Sequence, residues 1–504
     1  MVKRMKMKKY IQSMMAFAAI VSFASCSSED NNTTIENESA VKVMTFTATQ
    51  EGDEQSTRAA ISTSDSKVIN WESNDQISIF DGTNNKQFTL TDGAGSTSGK
   101  FSGEAEQSTS YTAVYPYQST ASLSGDDVTN VTLPATQNAT DNSFDKNAAL
   151  MMAKSDNTTL EFKNAVGYVK VKPKFACSKI VLQAAGASEY LAGRCTLSYG
   201  EGMPSIAFTS EQSTSITLSG NITANTAYYI AVPAVTLSAG WSISFTDNTG
   251  DVYTRTGSNS ITFKRNTIIN LGEFSRTDNN LKLTLTQNGN VPADKQVDMG
   301  VFNIGGTNYR LIFTKSNLIA TGLAASESAY GDYFAWGATK PWYTSYSGNR
   351  IDKTELIAGK SGGYTTGNAP FYDYDTSSYT KYTTAGNTLE ASDDAARQIL
   401  GGDWHIPTQA IWQALVDNST KGWDSKKGYK FTNNGQTLFL PAAGYVKGTY
   451  FQKVGSYGYY WSGTAYSNYN AYCLYFKSGE VNAQKNHDRG FGCPVRPVRL
   501  VAVD

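Results

Sequence analysis

Short segments in which apolar and polar residues alternate fill the chain from about residue 43 to residue 275. Residues 228–233 and 241–245 are examples, and Gly, Asn, Asp or Ser turns recur about every ten residues. Alternation with period two predicts strands that bury one face, and turns at this spacing are typical of antiparallel sandwiches. No window of 11 residues in this region has a helical period. The region therefore predicts two small β-sandwiches, 43–172 and 173–275.

A different pattern begins near residue 297, where two helices can be predicted. The first has Ser392 as its N-cap, covers 395–400 and ends at two glycines. The second begins after Thr408 as its cap. Its apolar face consists of Ile411, Trp412 and Leu415.

Strands return around and after these helices. They are predicted at 438–440, 459–461, 472–476 and 495–498. Helices and strands in one region predict an α+β domain over 297–504. The residues before it, 276–296, are mostly polar and are predicted to be a linker with one possible strand at 281–285.

The N-terminus has the pattern of a secretory signal over residues 1–26. Five basic residues precede a 15-residue apolar segment, which as a helix would rise about 22 Å and so fall short of a ~30 Å bilayer core. Cys26 follows small residues, which resembles a bacterial lipobox whose thiol receives fatty chains such as palmitate. The alternative is an ordinary signal with an unrelated cysteine. Residues 27–42 are polar and are predicted to be a flexible tether.

Composition narrows the class of protein further. A chain of 504 residues suits about three or four domains, and its charged fraction is 17% against a usual ~25%. The net charge of −1 gives no basic surface that would attract nucleic acid. His405 and His487 are the only histidines, which leaves little for a zinc cluster or a Ser/His/Asp relay. We expect no enzymatic activity, no cofactor, no metal site and no nucleic-acid partner.

Several short motifs between 43 and 275 resemble the fimbrillin family, the pilus subunits of Bacteroides-like bacteria. They are Thr57-Arg58-Ala59, Asn70-Trp71-Glu72-Ser73-Asn74-Asp75-Gln76-Ile77-Ser78-Ile79-Phe80, Tyr115-Pro116-Tyr117, Leu133-Pro134-Ala135-Thr136-Gln137 and Lys264-Arg265-Asn266-Thr267-Ile268-Ile269-Asn270-Leu271-Gly272. The resemblance implies a mainly β fold with two transthyretin-like sandwiches. It also implies assembly into surface pili with other fimbrial subunits.

A second resemblance covers nearly all of 297–504 and concerns the Fibrobacter succinogenes major paralogous domain, which has a C-type-lectin-like fold. The matching motifs are Tyr333-Phe334-Ala335-Trp336-Gly337, Gly402-Asp403-Trp404-His405-Ile406-Pro407-Thr408, Leu440-Pro441-Ala442-Ala443-Gly444-Tyr445 and Val495-Arg496-Pro497-Val498-Arg499. This resemblance implies an exposed lectin-like head at the end of a surface protein.

Arg58 and Ala59 are the predicted site of proteolytic processing. In fimbrillins a trypsin-like cut after such an arginine releases the first strand, and the open groove then accepts a strand from another subunit. The alternative is an arginine in a solvated loop that is never cut. At the other end, Leu500 to Asp504 span at most ~17 Å, which is too short to fill such a groove. A chain that accepts but does not donate a strand favours the fimbrial tip.

Aromatic residues are concentrated in two parts of the head, with 13 between 330 and 382 and 12 between 445 and 476. Tyrosine and tryptophan suit stacking on sugar rings or contacts with proteins. The candidate ligand-binding residues are Trp342, Tyr343, Tyr346, Tyr364, Tyr466, Asn468, Tyr469 and Asn470. The alternative is that these rings pack the core. Asp373 and Asp375 alone fall short of the six to eight oxygens that calcium prefers.

Four cysteines follow the N-terminal segment, an even number that suggests disulfides in an exported chain. Three connectivities are possible, and we favour Cys177–Cys195 and Cys473–Cys493. Together these features predict an outer-membrane surface lipoprotein that joins a fimbrium and binds a host or bacterial surface glycan or protein. A monomeric, lipid-anchored glycan-binding protein is the alternative.

Overall fold

The computed structural model describes residues 41–51, 70–82, 84–343, 346–347, 350–351 and 361–503, with only the backbone at 346–347 and 350–351. Cys26, Arg58 and Ala59 therefore lie outside the described residues. Within this part of the chain, no helix is long and apolar enough to cross a membrane.

Among the described residues before 166 there are ten strands, and seven of them close a barrel. The strands are β1 Lys42–Gln50, β2 Gln76–Phe80, β3 Asn85–Asp92, β4 Ser98–Ala105, β5 Tyr111–Tyr115, β6 Ser122–Ser124, β7 Asp127–Leu133, β8 Thr136–Asn138, β9 Met151–Ser155 and β10 Thr159–Asn164. The barrel order is β1-β10-β9-β5-β2-β3-β4, closed by the pairing of β4 with β1. The predicted first sandwich is thus a closed barrel, because β1 completes the sheet by pairing on both edges.

The second region continues the mainly β architecture. Its strands are β11 Val166–Pro173, β12 Cys177–Ala184, β13 Ala192–Gly200, β14 Met203–Ser213, β15 Ser215–Ile222, β16 Tyr228–Pro233, β17 Thr236–Leu237, β18 Trp241–Asp247, β19 Val252–Gly257, β20 Ile261–Thr262, β21 Ile268–Phe274 and β22 Lys282–Thr284. The main sheets run β22-β19-β18-β12-β15-β8, β16-β11-β21 and β14-β13-β7-β6, with a small β17-β20 pair. Inward positions of β18 alternate with outward ones, as its sequence pattern predicts. The strand expected in the linker is present as β22, which pairs with β19.

Strands from the two sides of residue 173 are interleaved. β8 pairs with β15, and β7 pairs with β13, so each region contributes to a sheet of the other. The barrel core also includes residues from beyond 173, namely Cys195, Leu197, Ala227, Tyr229 and Ala231. The two β regions therefore share their packing.

The head, as residues 296–503 are called below, contains both strands and helices. Its strands are β23 Gln296–Ile304, β24 Thr307–Thr314, β25 Leu318–Ile319, β26 Gly322–Leu323, β27 Tyr346–Ser347, β28 Arg350–Ile351, β29 Tyr372–Asp373, β30 Ser378–Tyr379, β31 Thr420–Asp424, β32 Gly428–Asn433, β33 Gln436–Pro441, β34 Tyr445–Lys447, β35 Tyr450–Gln452, β36 Tyr457–Ala465, β37 Asn470–Lys477, β38 Glu480–Asp488 and β39 Val498–Ala502. Its larger sheets are β23-β24-β39, β31-β32-β33, β36-β37-β38 and β27-β28-β35-β34.

Two helices pack against these sheets. α1 covers Ala395–Leu400 and α2 covers Gln409–Asn418, and the Thr408 hydroxyl caps α2 by accepting from the Ile411 amide. The predicted N-cap of α1, Ser392, is wrong, because Asp394 caps the helix by accepting from the amide of Arg397. Short 3₁₀ turns are Lys146–Ala148, Ala293–Lys295, Thr366–Asn368 and Ala391–Asp393.

The four described cysteines are buried and are not bonded to one another, so the two expected disulfides are not formed. Cys177 packs in the core of the second β region and Cys195 in the core of the barrel, which separates the first predicted pair. Cys473 and Cys493 share one core cluster of the head without a bond. Burial raises the pKa of both head thiols, which keeps them protonated.

Candidate functional site

Three aromatic residues expected on an exposed loop are core residues of the head. Trp342, Tyr343 and Tyr364 are at most 2% exposed, and the Trp342 and Tyr364 rings stack at a centroid distance of 4.5 Å. The Tyr364 hydroxyl accepts from the Trp342 amide at 3.0 Å and donates to the Tyr333 carbonyl. The assignment of these rings to the surface is thus corrected, because they pack in a core cluster of the head. Only the backbone of Tyr346 is described.

The other predicted aromatic residues lie at the surface, in the turn between β36 and β37. Tyr466 is 42% exposed and Tyr469 is 47% exposed. Asn468 and Asn470 are partly buried in the same turn, and the Asn470 amide donates to Asn486 at 2.9 Å. Of the four predicted residues in this turn, the two tyrosines are exposed and the two asparagines are partly buried.

The β29–β30 hairpin brings two further tyrosines to this turn. Tyr374 is 69% exposed and packs edge-on against Tyr372 at 5.6 Å between ring centroids. Tyr372 in turn contacts the buried Tyr379 at 5.3 Å, and Tyr379 contacts Tyr469 at 6.0 Å. We call Tyr372, Tyr374, Tyr466 and Tyr469 the tyrosine surface.

A buried arginine positions the segments that carry the tyrosine surface. The Arg489 guanidinium donates to the carbonyls of Ser467 (2.8 Å), Lys381 (3.2 Å) and Tyr382. It also lies 4.8 Å from the centroid of the Tyr379 ring, in cation–π geometry. Burial lowers the pKa of Arg489 to about 10, so it is charged at neutral pH. Arg489 thus joins the turn, the hairpin and the segment after it.

The polar side chains that the hairpin and the turn themselves contribute are acidic or neutral. Residues 372–379 contain Asp373 and Asp375, and neither this hairpin nor the turn 466–470 contains a Lys or Arg. The Asp373 carboxylate already accepts from the Asp375 amide (2.9 Å) and the Thr376 hydroxyl (3.0 Å). These hydrogen bonds, the first above all, hold the pKa of Asp373 below its usual value. Among the described residues, no group of three or more His, Cys, Asp or Glu side chains could hold a metal ion.

A cleft of about 300 Å³ beside α1 and α2 contains Asp394 and His405. Both Asp394 oxygens accept backbone amides, from Arg397 at 3.0 Å and Ile406 at 2.8 Å. Burial raises the pKa of Asp394 and lowers that of His405. The amide contacts give Asp394 a structural role, because they cap the helix and fix the chain that enters α2.

The second candidate site is the groove between β10 and β4 that β1 fills in the barrel, called the seat of β1 below. β1 runs parallel to β10 and antiparallel to β4, and it presents Phe46 and Ala48 to the core, both fully buried. The next residue after the strand, Glu51, forms a two-point ion pair with Arg265, at 2.7 and 2.8 Å.

Burial would by itself raise the pKa of the Glu51 carboxyl. The hydrogen bonds and charge of Arg265 outweigh that effect and hold the pKa below its usual value. Because Arg265 belongs to the second β region, this ion pair fastens the end of the first strand to a distant part of the sequence.

Sequence reasoning missed Tyr372, Tyr374 and Arg489 as parts of the head site. Tyr372 and Tyr374 are two residues apart and are followed by a polar segment. In a short hairpin this spacing places both side chains on the same face. The role of Arg489 depends on three carbonyl groups that are distant in sequence, and no local pattern reports them.

Comparisons with known proteins give one family and a set of solved structures. The C-terminal family match is a domain of unknown function, DUF8237, over residues 423–498, and not the lectin-like domain whose motifs the sequence resembles. A comparison with curated proteins gave no match.

The structure comparison matches the chain to solved fimbrial and cell adhesion proteins. A fimbrial protein from Bacteroides ovatus matches 90% of this chain and 98% of its own at 12% identity, with a TM-score of 0.25. The tip fimbrial protein Mfa3 from Porphyromonas gingivalis matches 48% and 98% at 9% identity, with a TM-score of 0.23. A candidate cell adhesion protein from Bacteroides uniformis matches 42% and 91% at 17% identity, with a TM-score of 0.30. These values are too low to assign the chain to a family.

Proposed function

We propose that the protein is a cell-surface fimbrial subunit whose first strand is exchanged for a strand of a neighbouring subunit. The observation that carries this proposal is the position of β1, which pairs on both edges and is joined to β2 through residues 52–69. Loss of β1 would leave two unpaired edges on either side of an apolar groove, which a strand of matching pattern can fill. Cleavage between Arg58 and Ala59 would separate β1 from the rest of the chain.

The head would provide the adhesive function. The tyrosine surface offers flat apolar rings with polar edges, and Asn468 and Asn470 add amide groups beside it. We propose that it binds a surface glycan, and that the lipobox-like Cys26 anchors the precursor to the outer membrane. The strand β39 is paired with β24 and so is not itself available for donation.

A monomeric, lipid-anchored glycan-binding protein is the second candidate. It is favoured by the closed barrel, in which β1 is paired on both edges and held by the Glu51–Arg265 ion pair. In that case β1 would stay in place throughout the life of the protein.

N-terminal sequencing of the protein from intact cells tests these candidates. Fimbrial assembly predicts Ala59 as the first residue and surface polymers of high molecular weight that contain the chain. An Arg58→Ala variant should keep an acylated Cys26 and lose the polymers, whereas Lys67→Ala in the same segment should behave like the wild type. An acylated Cys26 on all wild-type molecules, without polymers, would contradict assembly and support the monomeric anchor.

A further inference from the structure

The seat of β1 has a chemical pattern of its own, and this pattern restricts which strand can replace β1. Inward-facing positions fall at Met44, Phe46, Ala48 and Gln50, with alternate residues directed outward. The surroundings differ from one inward position to the next. The residue after them, Glu51, forms an ion pair with Arg265.

The position of Phe46 requires an aromatic ring. Phe46 is fully buried and packs edge-on against Tyr111 at 4.9 Å and Phe88 at 5.2 Å between centroids. Such pairs add to the free energy gained from the burial of the ring itself. A small side chain here would leave a cavity lined by two rings.

The position of Ala48 requires a small residue. Ala48 lies opposite Gly99, and a Cβ on that glycine would lie 2.9 Å from the Trp71 ring. The Trp71 indole also donates to the Ala48 carbonyl at 3.2 Å. Because the tryptophan already fills this part of the barrel, a branched or long side chain at position 48 would overpack it.

The position of Gln50 is where the resident strand fits poorly. Gln50 is 9% exposed, and neither the nitrogen nor the oxygen of its amide has a hydrogen-bond partner among the described residues. A buried polar group without a partner is unfavourable because it has lost its contacts with water. An apolar residue of similar length would avoid this penalty.

The last position requires a carboxylate. Arg265 donates to both oxygens of Glu51, and the Asn164 amide donates to one of them at 3.2 Å. The Arg265 side chain is 21% exposed and the Glu51 side chain 10% exposed, so water screens the pair only in part. Without an acid at this place the guanidinium would keep its hydrogen bond to the Asn164 carbonyl, at 3.1 Å, but lose its counter-charge.

We propose that the partner of this protein donates a strand that runs in the direction of β1 and carries, at the places of Phe46, Ala48, Gln50 and Glu51, an aromatic, a small, an apolar and an acidic residue. This inference rests on the proposed exchange of β1 and specifies its partner. A strand with an apolar residue at the place of Gln50 binds more tightly than β1 itself, which gives the exchange its direction.

The test uses the full chain with a specific protease site introduced between residues 52 and 69. After cleavage and removal of the strand under mild denaturant, peptides of residues 42–51 are titrated into the refolded acceptor. Relative to the wild-type peptide, Gln50→Leu should bind about tenfold more tightly, and Glu51→Gln and Ala48→Leu about tenfold more weakly. Phe46→Ala should bind at least ~100-fold more weakly. Val43→Thr, at a position that is 75% exposed in β1, should match the wild type.

An acceptor with Arg265→Gln provides the matched control for the acid, since it should bind the wild-type and Glu51→Gln peptides about equally. Equal affinities of the wild-type, Gln50→Leu and Glu51→Gln peptides for the unmodified acceptor would overturn the proposed pattern while leaving strand exchange intact. Failure of every peptide to bind would instead overturn strand exchange, and the pattern with it.

Discussion

Arg499 in the last strand of the head and Asp251 in the second β region form a fully buried ion pair, with Nη1 2.8 Å from Oδ2. The Gln296 side-chain oxygen accepts two further hydrogen bonds from Arg499, at 2.9 and 3.2 Å. The Thr286 amide donates to Asp251 at 3.0 Å. The head is therefore joined to the second β region by a buried ion pair, which also includes a hydrogen bond of 3.1 Å.

A second arginine strengthens this junction. Arg276 donates to the carbonyl of Ala502 at 3.2 Å, and another of its nitrogens lies 3.2 Å from the Asp247 carboxylate. Asp247 and Asp251 bracket the turn between β18 and β19. Asp251 contacts Arg499 of β39 directly, and Asp247 is linked to Ala502 of the same strand through Arg276.

Asp251→Asn should destabilise the protein by about 3–5 kcal/mol, because it leaves the Arg499 charge buried without a counter-charge. Urea unfolding at neutral pH measures the effect. Asp92→Asn, which breaks the exposed Lys100–Asp92 pair, serves as the control and should change stability by less than about 1 kcal/mol. Equal effects of the two substitutions would show that the buried pair does not hold the junction.

Tyr374→Ala and Tyr469→Ala should each reduce glycan binding at least ~tenfold without lowering the unfolding midpoint, because both rings are largely exposed. Binding of the full chain to a glycan array provides the measurement. Neutral glycans should give the signal and sialylated or sulfated ones should not, since the hairpin has two acids and no base. Tyr450→Ala, 52% exposed outside the tyrosine surface, should leave binding unchanged. Loss of binding in that variant alone would place the site elsewhere.

Trp342→Ala should lower the free energy of unfolding by about 3–5 kcal/mol, because it removes a buried ring that stacks on Tyr364. Thermal and urea unfolding report this change. Any loss of glycan binding should follow the fraction of unfolded protein. If the variant kept wild-type stability but no longer bound glycan, Trp342 would be a binding residue and the prediction would be wrong.

His487→Gln should reduce the loss of stability between pH 6.5 and pH 4. Burial, with repulsion from Lys447 and Lys485, lowers the pKa of His487 to about 4, so the unfolded chain binds a proton in this range that the folded chain does not. Stability therefore falls as the pH drops through this window and is unaffected by His487 above it. Urea midpoints at pH 7, 5.5 and 4 give the slope. Because the pKa of His405 is lowered as well, His405→Gln is measured in parallel. An unchanged slope in both variants would exclude these histidines as its cause.

Local sequence patterns predicted where strands and helices lie better than they predicted which residues these elements contact. Alternation located strands such as β18, and the threonine before an apolar helical face located α2. The cap of α1 could not be chosen from sequence, because Ser392 and Asp394 are both good cap residues. The choice depends on Ile406, whose amide binds the second oxygen of Asp394.

The barrel and the head site depended on contacts that are remote in sequence. Parallel pairing of β1 with β10 joins residues more than 100 positions apart, and no local signal reports it. In the head, exposed Tyr469 and buried Tyr364 occur in similar aromatic, glycine- and serine-rich contexts. They differ in their tertiary packing, because the Trp342 ring stacks on Tyr364.

The interleaving of strands across residue 173 also fixes an order of folding. A chain that emerges from the ribosome N-terminus first cannot complete the barrel core until Tyr229 and Ala231 have been synthesised. At about 5–20 residues per second, this imposes a delay on the order of 3–12 seconds after residue 173 appears. During that interval the part of the barrel core that Tyr229 and Ala231 cover in the folded protein stays uncovered.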